Sequence, residues 1–236
     1  MGFQQTAVAG AERDLAVAGR ERRYRPFETR ERILDAARSL FHAKGYLNTS
    51  TLEIADKAEV AEGSIFYHFG SKKNLLAALG AVFAREKVAA MRGGSHDLSD
   101  LEPGLTIRRA FDFVDNHGFI DDNLGLPFDS PEVQPFLAAN RDVVVEFVSQ
   151  CLHATLPSEK LETMDVELAA SFAYSVVCDA LCQVYAAQDR DNRDRILAET
   201  IRFVRQALGY PHDGQAGKTG KKAGRQRRPR RAAKAT

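Results

Sequence analysis

Cysteine is scarce in this chain of 236 residues: Cys151, Cys178 and Cys182 are the only three. They are too few and fall too late for a disulfide framework, so the chain reads as a soluble, cytoplasmic protein of a reducing compartment. No stretch approaches the roughly 20 apolar residues of a membrane helix, so no membrane partner is expected. The opening stretch, MGFQQTAVAGAERDLAVAGRERR, is rich in small residues. Acidic residues interrupt it and no compact apolar run follows a basic start, so it reads as a loose leader rather than a signal peptide. Alternating apolar and polar runs of strand length are missing too. No Ser/His/Asp set, paired-carboxylate pattern or cofactor signature marks an enzyme, and no cofactor is expected. GQAGKT at 214–219 brushes against a phosphate-binding loop, but its first glycine position is taken by His212 and no strand precedes it. His96, His117 and His153 have no ligand spacing with the cysteines, so no metal site is expected.

Net charge is equally slight. Thirty-three Lys and Arg stand against 32 Asp and Glu, leaving +1, but the total conceals a segregation. Residues 1–90 carry 14 basic and 11 acidic side chains (+3), residues 91–213 carry 10 and 21 (−11), and residues 214–236 carry nine basic and none acidic. Two basic ends flank an acidic middle. The last segment, GQAGKTGKKAGRQRRPRRAAKAT, lacks large apolar residues and is expected to be disordered, since it cannot bury enough surface to offset its ordering entropy. Such a tail can bind DNA without sequence preference through counterion release.

What the sequence does have is helical periodicity. Ile33, Leu34, Ala37, Leu40 and Phe41 form one stripe, with Thr29 as N-cap, Pro26 just outside and Lys44-Gly45 closing the helix. Helices are expected at about 51–58 and 62–68, from Ser71 as cap to Gly93-Gly94, at about 104–119 and 131–154, and at 165–187 and 192–208, with a short turn or helix near 121–126. The fold expected is all-α.

The two short helices lie either side of a tight break. Ile54, Ala55 and Ala58 of the first face Ile65 and Phe69 of the second, with Val60 as an apolar pin between them. This is the pattern of a helix-turn-helix, whose second helix enters a DNA major groove. That helix needs small or polar residues at its start and phosphate-reaching groups at its flanks.

Over about 50 residues, TRERILDAARSLFHAKGYLNTSTLEIADKAEVAEGSIFYHFGSKKNLLAAL resembles the DNA-binding domain of the TetR family of bacterial repressors. Four elements carry the resemblance, in order and at the right spacing: A-x-x-L-F-x-x-x-G-Y, T-x-x-x-I-A, G-S-I-F-Y-H-F and S-K-K-x-L-L. The resemblance implies that Thr51, Tyr67, His68 and Lys72 contact phosphates, and that Gly63 and Ser64 lie where the recognition helix approaches base edges. Hydroxyl, phenol, imidazole and ammonium groups all donate to phosphate oxygens, and backbone N–H groups at helix N-termini add anion affinity. The sequence departs from the pattern in places. Glu59 replaces the usual turn Gly, so a left-handed conformation must shift or be strained there. Ala61 replaces Ser or Thr, so the recognition helix loses a side-chain cap worth ~1 kcal/mol. Glu62 stands where a basic residue is frequent, and either accepts from a cytosine amino group or repels phosphate. Phe66 replaces Tyr and removes a phenol donor.

The resemblance further implies a domain plan: a flexible basic leader at 1–26, the helix-turn-helix domain at 27–76, a helical ligand-binding and dimerisation domain at 77–211 and the tail at 212–236. Arg20, Arg22, Arg23 and Arg25 of the leader read either as solvated residues or as an arm that enters the minor groove. Helices 165–187 and 192–208 are candidates for a two-fold four-helix homodimer interface. The implied function is ligand-responsive repression, with a dimer on a palindromic operator in double-stranded DNA and a small-molecule inducer that releases it. Phe111, Asp112, Asn116, Phe147, Tyr174 and Cys178 are the candidate pocket residues, because polar groups recur among apolar ones near the 104–119 face. Cys178 and Cys182 share a helix face and read as core packing, the alternative being a thiol sensor or metal pair. A second reading is an architectural DNA-binding protein that uses its basic ends without sequence choice.

Overall fold

A computed structural model describes residues 26–118, 124–127, 129–185 and 190–210. The leader, with Arg22, Arg23 and Arg25, and the basic tail lie outside the described residues, as does part of the expected turn near 121–126. The fold is all-α. Among the described residues there are nine α-helices: α1 (Pro26–Lys44), α2 (Thr51–Lys57), α3 (Glu62–Phe69), α4 (Lys72–Arg92), α5 (Pro103–His117), α6 (Gln134–Thr155), α7 (Ser158–Leu161), α8 (Val166–Tyr185) and α9 (Arg193–Ala207). Single 3₁₀ turns precede α5, α6 and α9.

Helix α1 starts at Pro26, so Thr29 is inside the helix rather than capping it. Proline's fixed φ suits the first helical turn, where its missing N–H removes no intrahelical bond. Side-chain caps define some of the other starts. Ser71 accepts from Asn74 N–H at the head of α4, and Glu102 accepts from Leu105 N–H at the head of α5.

Two main apolar cores share α4. The first gathers Ile33, Phe41, Ile54, Ile65, Leu75 and Leu79, and it also takes in Leu124, Leu126, Val133 and Phe136 from well beyond the helix-turn-helix. The second gathers Ile107, Phe111, Leu152, Leu181, Val184 and Leu197 from α5, α6, α8 and α9. The most extensive helix pairing is α4 with α6. Their backbones touch at Gly80, where an added Cβ would sit 2.3 Å from the Phe136 carbonyl oxygen. A second close approach fastens the 124–127 segment to the end of α1. Gly125, at φ +58°, faces Gly45, and the Tyr46 N–H donates to the Leu124 carbonyl at 2.8 Å.

Helix α8 corrects one expectation. By length and composition it is apolar enough to cross a membrane. Glu167 and Asp179 are its only acidic side chains, and Ala, Val, Cys and Tyr fill most of the rest. It packs against α6 and α9.

Gly80→Ala is expected to lower stability by about 1–2 kcal/mol. Overpacking at a rigid backbone contact costs about 1–3 kcal/mol and outweighs the ~1 kcal/mol helix-propensity gain of alanine. The denaturation midpoint should fall while the slope stays unchanged.

Candidate nucleic-acid interface and interior cavity

The helix-turn-helix is held by local chemistry. Ser50 caps α2 in a reciprocal box: its hydroxyl accepts from Glu53 N–H, and the Glu53 carboxylate accepts from the Ser50 N–H at 2.8 Å. The Lys44 ammonium also bonds to that exposed carboxylate and is the largest influence holding it down to about 2. Val60 N–H donates to the Ala55 carbonyl at 3.0 Å, closing the break before α3. Ile54, Ala55 and Ile65 are fully buried, and Val60 packs at the edge of the same core. Glu59 sits at φ +54°, the one non-glycine residue with positive φ among the described residues. The turn therefore keeps its left-handed shape and carries the strain. Ala61 begins α3 without a side-chain cap.

The residues implied for DNA contact lie close together on this unit. Tyr67 is 73% exposed, and its ring meets that of His68 edge-on at 5.0 Å. Gly63 is exposed, and a Cβ there would meet nothing; Ser64 is half-buried. Thr51 and Glu62 are joined to each other: the Thr51 hydroxyl donates to the Glu62 carboxylate at 2.6 Å, tying the head of α2 to that of α3. Lys72 turns inward. Its ammonium donates to the Thr49 carbonyl at 2.6 Å and stands 4.3 Å above the Tyr46 ring, and burial pulls its pKa down. The pairing of Thr51 with Glu62 was not foreseen; their matching positions at the starts of adjacent helices are the signal that could have suggested it.

The candidate pocket residues divide. Phe147, Tyr174 and Cys178 line one cavity of about 80 Å³, together with side chains from α4, α5 and α9. Phe111 is fully buried in the second core but does not line the cavity. Asp112 and Asn116 do not reach it. On α5, Pro103, Thr106, Ile107 and Ala110 form the cavity face, and residues two and six positions beyond Ala110 fall on another face. Asp112 instead accepts from Arg193 at 2.9 Å, and the Asn116 amide donates to the Asp112 carbonyl at 2.7 Å. Asp115 also binds Arg193 and accepts from Tyr185, linking α5, α8 and α9. Burial and the Asp115 hydrogen bond push the Tyr185 phenol up to about 12.

The residue that sequence reasoning missed is Lys87. It lines the cavity, is only 7% exposed, and donates to the Asn140 side-chain carbonyl of α6 at 3.1 Å. Tyr174 donates to the same oxygen at 3.5 Å. Burial lowers the Lys87 pKa and raises those of Tyr174 and Cys178. The signal was available: Lys87 falls in the buried stripe Leu76, Gly80, Ala84, Lys87, Met91 of α4. Cys182 packs beside the second core, and no disulfide joins Cys151, Cys178 and Cys182.

The profile described as "Bacterial regulatory proteins, tetR family" matches residues 33–79. Those residues are a TetR-family helix-turn-helix domain. Over 51 residues the chain is 53% identical to the uncharacterized HTH-type transcriptional regulator YvkB of Bacillus subtilis, covering 22% of this chain and 27% of that protein. It is 37% identical over 87 residues to the HTH-type transcriptional regulator SrpR of Pseudomonas putida, covering 37% of this chain and 36% of that one. The matches thus span well under half of either relative. Among solved structures, a putative TetR-family regulator from Syntrophomonas wolfei shares the fold with a TM-score of 0.57 at 20% identity, covering 78% of this chain and 97% of that one. RolR in complex with resorcinol gives 0.53 at 20% identity, covering 79% and 95%. At these identities the likeness is one of fold, and it extends beyond the TetR-family domain.

Glu59→Gly is expected to raise stability by up to about 1 kcal/mol. A left-handed L-residue costs ~1–2 kcal/mol, and the greater freedom of glycine in the unfolded chain returns part of the gain. Chemical denaturation of the two proteins side by side measures the difference.

Proposed function

We propose that the protein is a cytoplasmic, dimeric transcriptional regulator that binds a palindromic operator through its TetR-family domain and is released by a small-molecule inducer. The observation that carries this reading is one connected path from cavity to DNA-binding unit. Lys87 and Tyr174 at the cavity meet Asn140 on α6. The start of α6 and the segment before it enter the first core through Phe136, Val133, Leu126 and Leu124. Leu124 in turn accepts from Tyr46 N–H, just ahead of α2. A ligand that shifts α6 thereby biases the setting of the recognition helix α3, and the switch is a population shift between two geometries. In this reading Thr51, Glu62, Gly63, Ser64, Tyr67, His68 and Lys72 face DNA, with Lys72 exchanging its carbonyl partner for phosphate. The DNA-reading part is 27–76 and the sensing part 77–211.

Dimerisation is supported by apolar surface on α8 and α9. Phe172 and Phe203 are 62% and 58% exposed, Leu168 is exposed too, and the phenylalanines flank a groove with Met164 and Val176. Contiguous apolar surface of this kind marks an interaction site. Two short recognition helices on symmetric half-sites multiply a specificity that one alone supplies weakly.

Footprinting on DNA flanking the protein's own gene, across a salt series, is expected to give a discrete, two-fold symmetric protected site. Protection without a discrete boundary would favour the architectural reading. Tyr67→Ala should weaken binding about tenfold, the loss of one hydrogen bond to a charged acceptor at ~1.5 kcal/mol. The double variant Phe172→Glu with Phe203→Glu should sediment as a monomer and lose the symmetric footprint; a dimer that persists would move the interface elsewhere.

A further inference from the structure

The interior cavity has one feature that its apolar walls do not account for. Lys87 is buried, yet among the described residues no aspartate or glutamate pairs with it, and the Asn140 carbonyl takes only one of its three N–H donors. A buried ammonium without a counter-ion is strongly disfavoured. The neighbouring acids do not supply one. Burial pushes the Cys178 thiol and the Tyr174 phenol up, so both stay protonated near neutral pH. Met91, Ile107, Phe147 and Leu181 contribute apolar wall around the same space.

We propose that this cavity takes a small monocarboxylate with an apolar body, the carboxylate seated on Lys87 Nζ and Tyr174 Oη and the body against Met91, Ile107, Phe147 and Leu181. The proposal rests on the reading of the protein as a ligand-responsive regulator and names the chemical class of its ligand. Three observations favour a small monocarboxylate. One buried cation balances one charge, whereas a dianionic phosphate would leave a second charge uncompensated in apolar surroundings. The long 3.5 Å bond from Tyr174 to Asn140 is readily redirected, giving the carboxylate a second donor. The cavity volume of about 80 Å³ is several times the roughly 10–15 Å³ one water requires, which leaves room for a small organic acid. The carboxylate would also alter the bond from Lys87 to Asn140, the point at which the cavity touches α6.

The test is calorimetric titration of the full chain with phenylacetate and 4-methylpentanoate, each against its neutral amide, with operator affinity measured in parallel. At least one carboxylate should bind tenfold or more tightly than its amide. Lys87→Met should abolish that preference, and Tyr174→Phe should weaken the carboxylate several-fold while leaving its amide unaffected. Should Lys87→Met fail to fold, Tyr174→Phe carries the test alone. Equal binding of acid and amide overturns the charge assignment and leaves ligand responsiveness standing if either compound lowers operator affinity. Carboxylate binding that leaves operator affinity unchanged supports the cavity chemistry and overturns the regulatory reading. No binding by any of the four compounds overturns the proposal.

Discussion

Gly80 and the carbonyl of Phe136 meet backbone to backbone, and the rest of the molecule is arranged around that contact. Because no side chain separates α4 from α6 there, the two helices lie close enough for α6 to start inside the core of the helix-turn-helix and to end beside α5 and α8. Helix α4 makes the reverse connection: its first turns hold Leu75, Leu76 and Leu79 in the first core, and its later turns present Lys87 and Met91 to the cavity. Two rigid rods joined near their crossing transmit displacement, since close-packed interiors have few voids in which a shift can be lost.

Much of this was legible because helical periodicity and short-range motifs are local. The stripes of α1, α4 and α9 and the break between α2 and α3 can be read from residues a few positions apart. The helix starts are less legible where a proline fixes φ, as at Pro26, or where a 3₁₀ turn leads in, as before α6. The cavity was the least legible part. Phe147, Tyr174 and Cys178 meet there, but Asp112 and Asn116 lie on the α5 face turned from the cavity, where Asp112 bonds to Arg193, 81 positions along the chain. Lys87 was visible as a charge in an apolar stripe, but what it faces depends on Asn140 and Tyr174, 53 and 87 positions further along.

The segregated charge now has a structural context. The acidic middle keeps many carboxylates at the surface, and Asp112 and Asp115 are spent on Arg193 rather than on the cavity. Lys87, just ahead of the acidic 91–213 segment, differs from Arg193: it bonds to the Asn140 amide oxygen rather than to a carboxylate. An anionic ligand would cross a surface of its own sign to reach it, so ionic strength should act on its entry rate more than on its hold once seated.

The hydrogen bond between Thr51 and Glu62 has a consequence for base selection. Before any DNA arrives, the carboxylate at the head of α3 already has a hydroxyl donor, and the hydroxyl already has an acceptor. A phosphate that took the Thr51 proton would have to displace Glu62, so the energy gained would be the difference between two bonds rather than the whole of one. A donor approaching the other Glu62 oxygen would displace nothing, because a carboxylate accepts several hydrogen bonds at once. The same pair of side chains would thus resist one kind of contact and leave room for another.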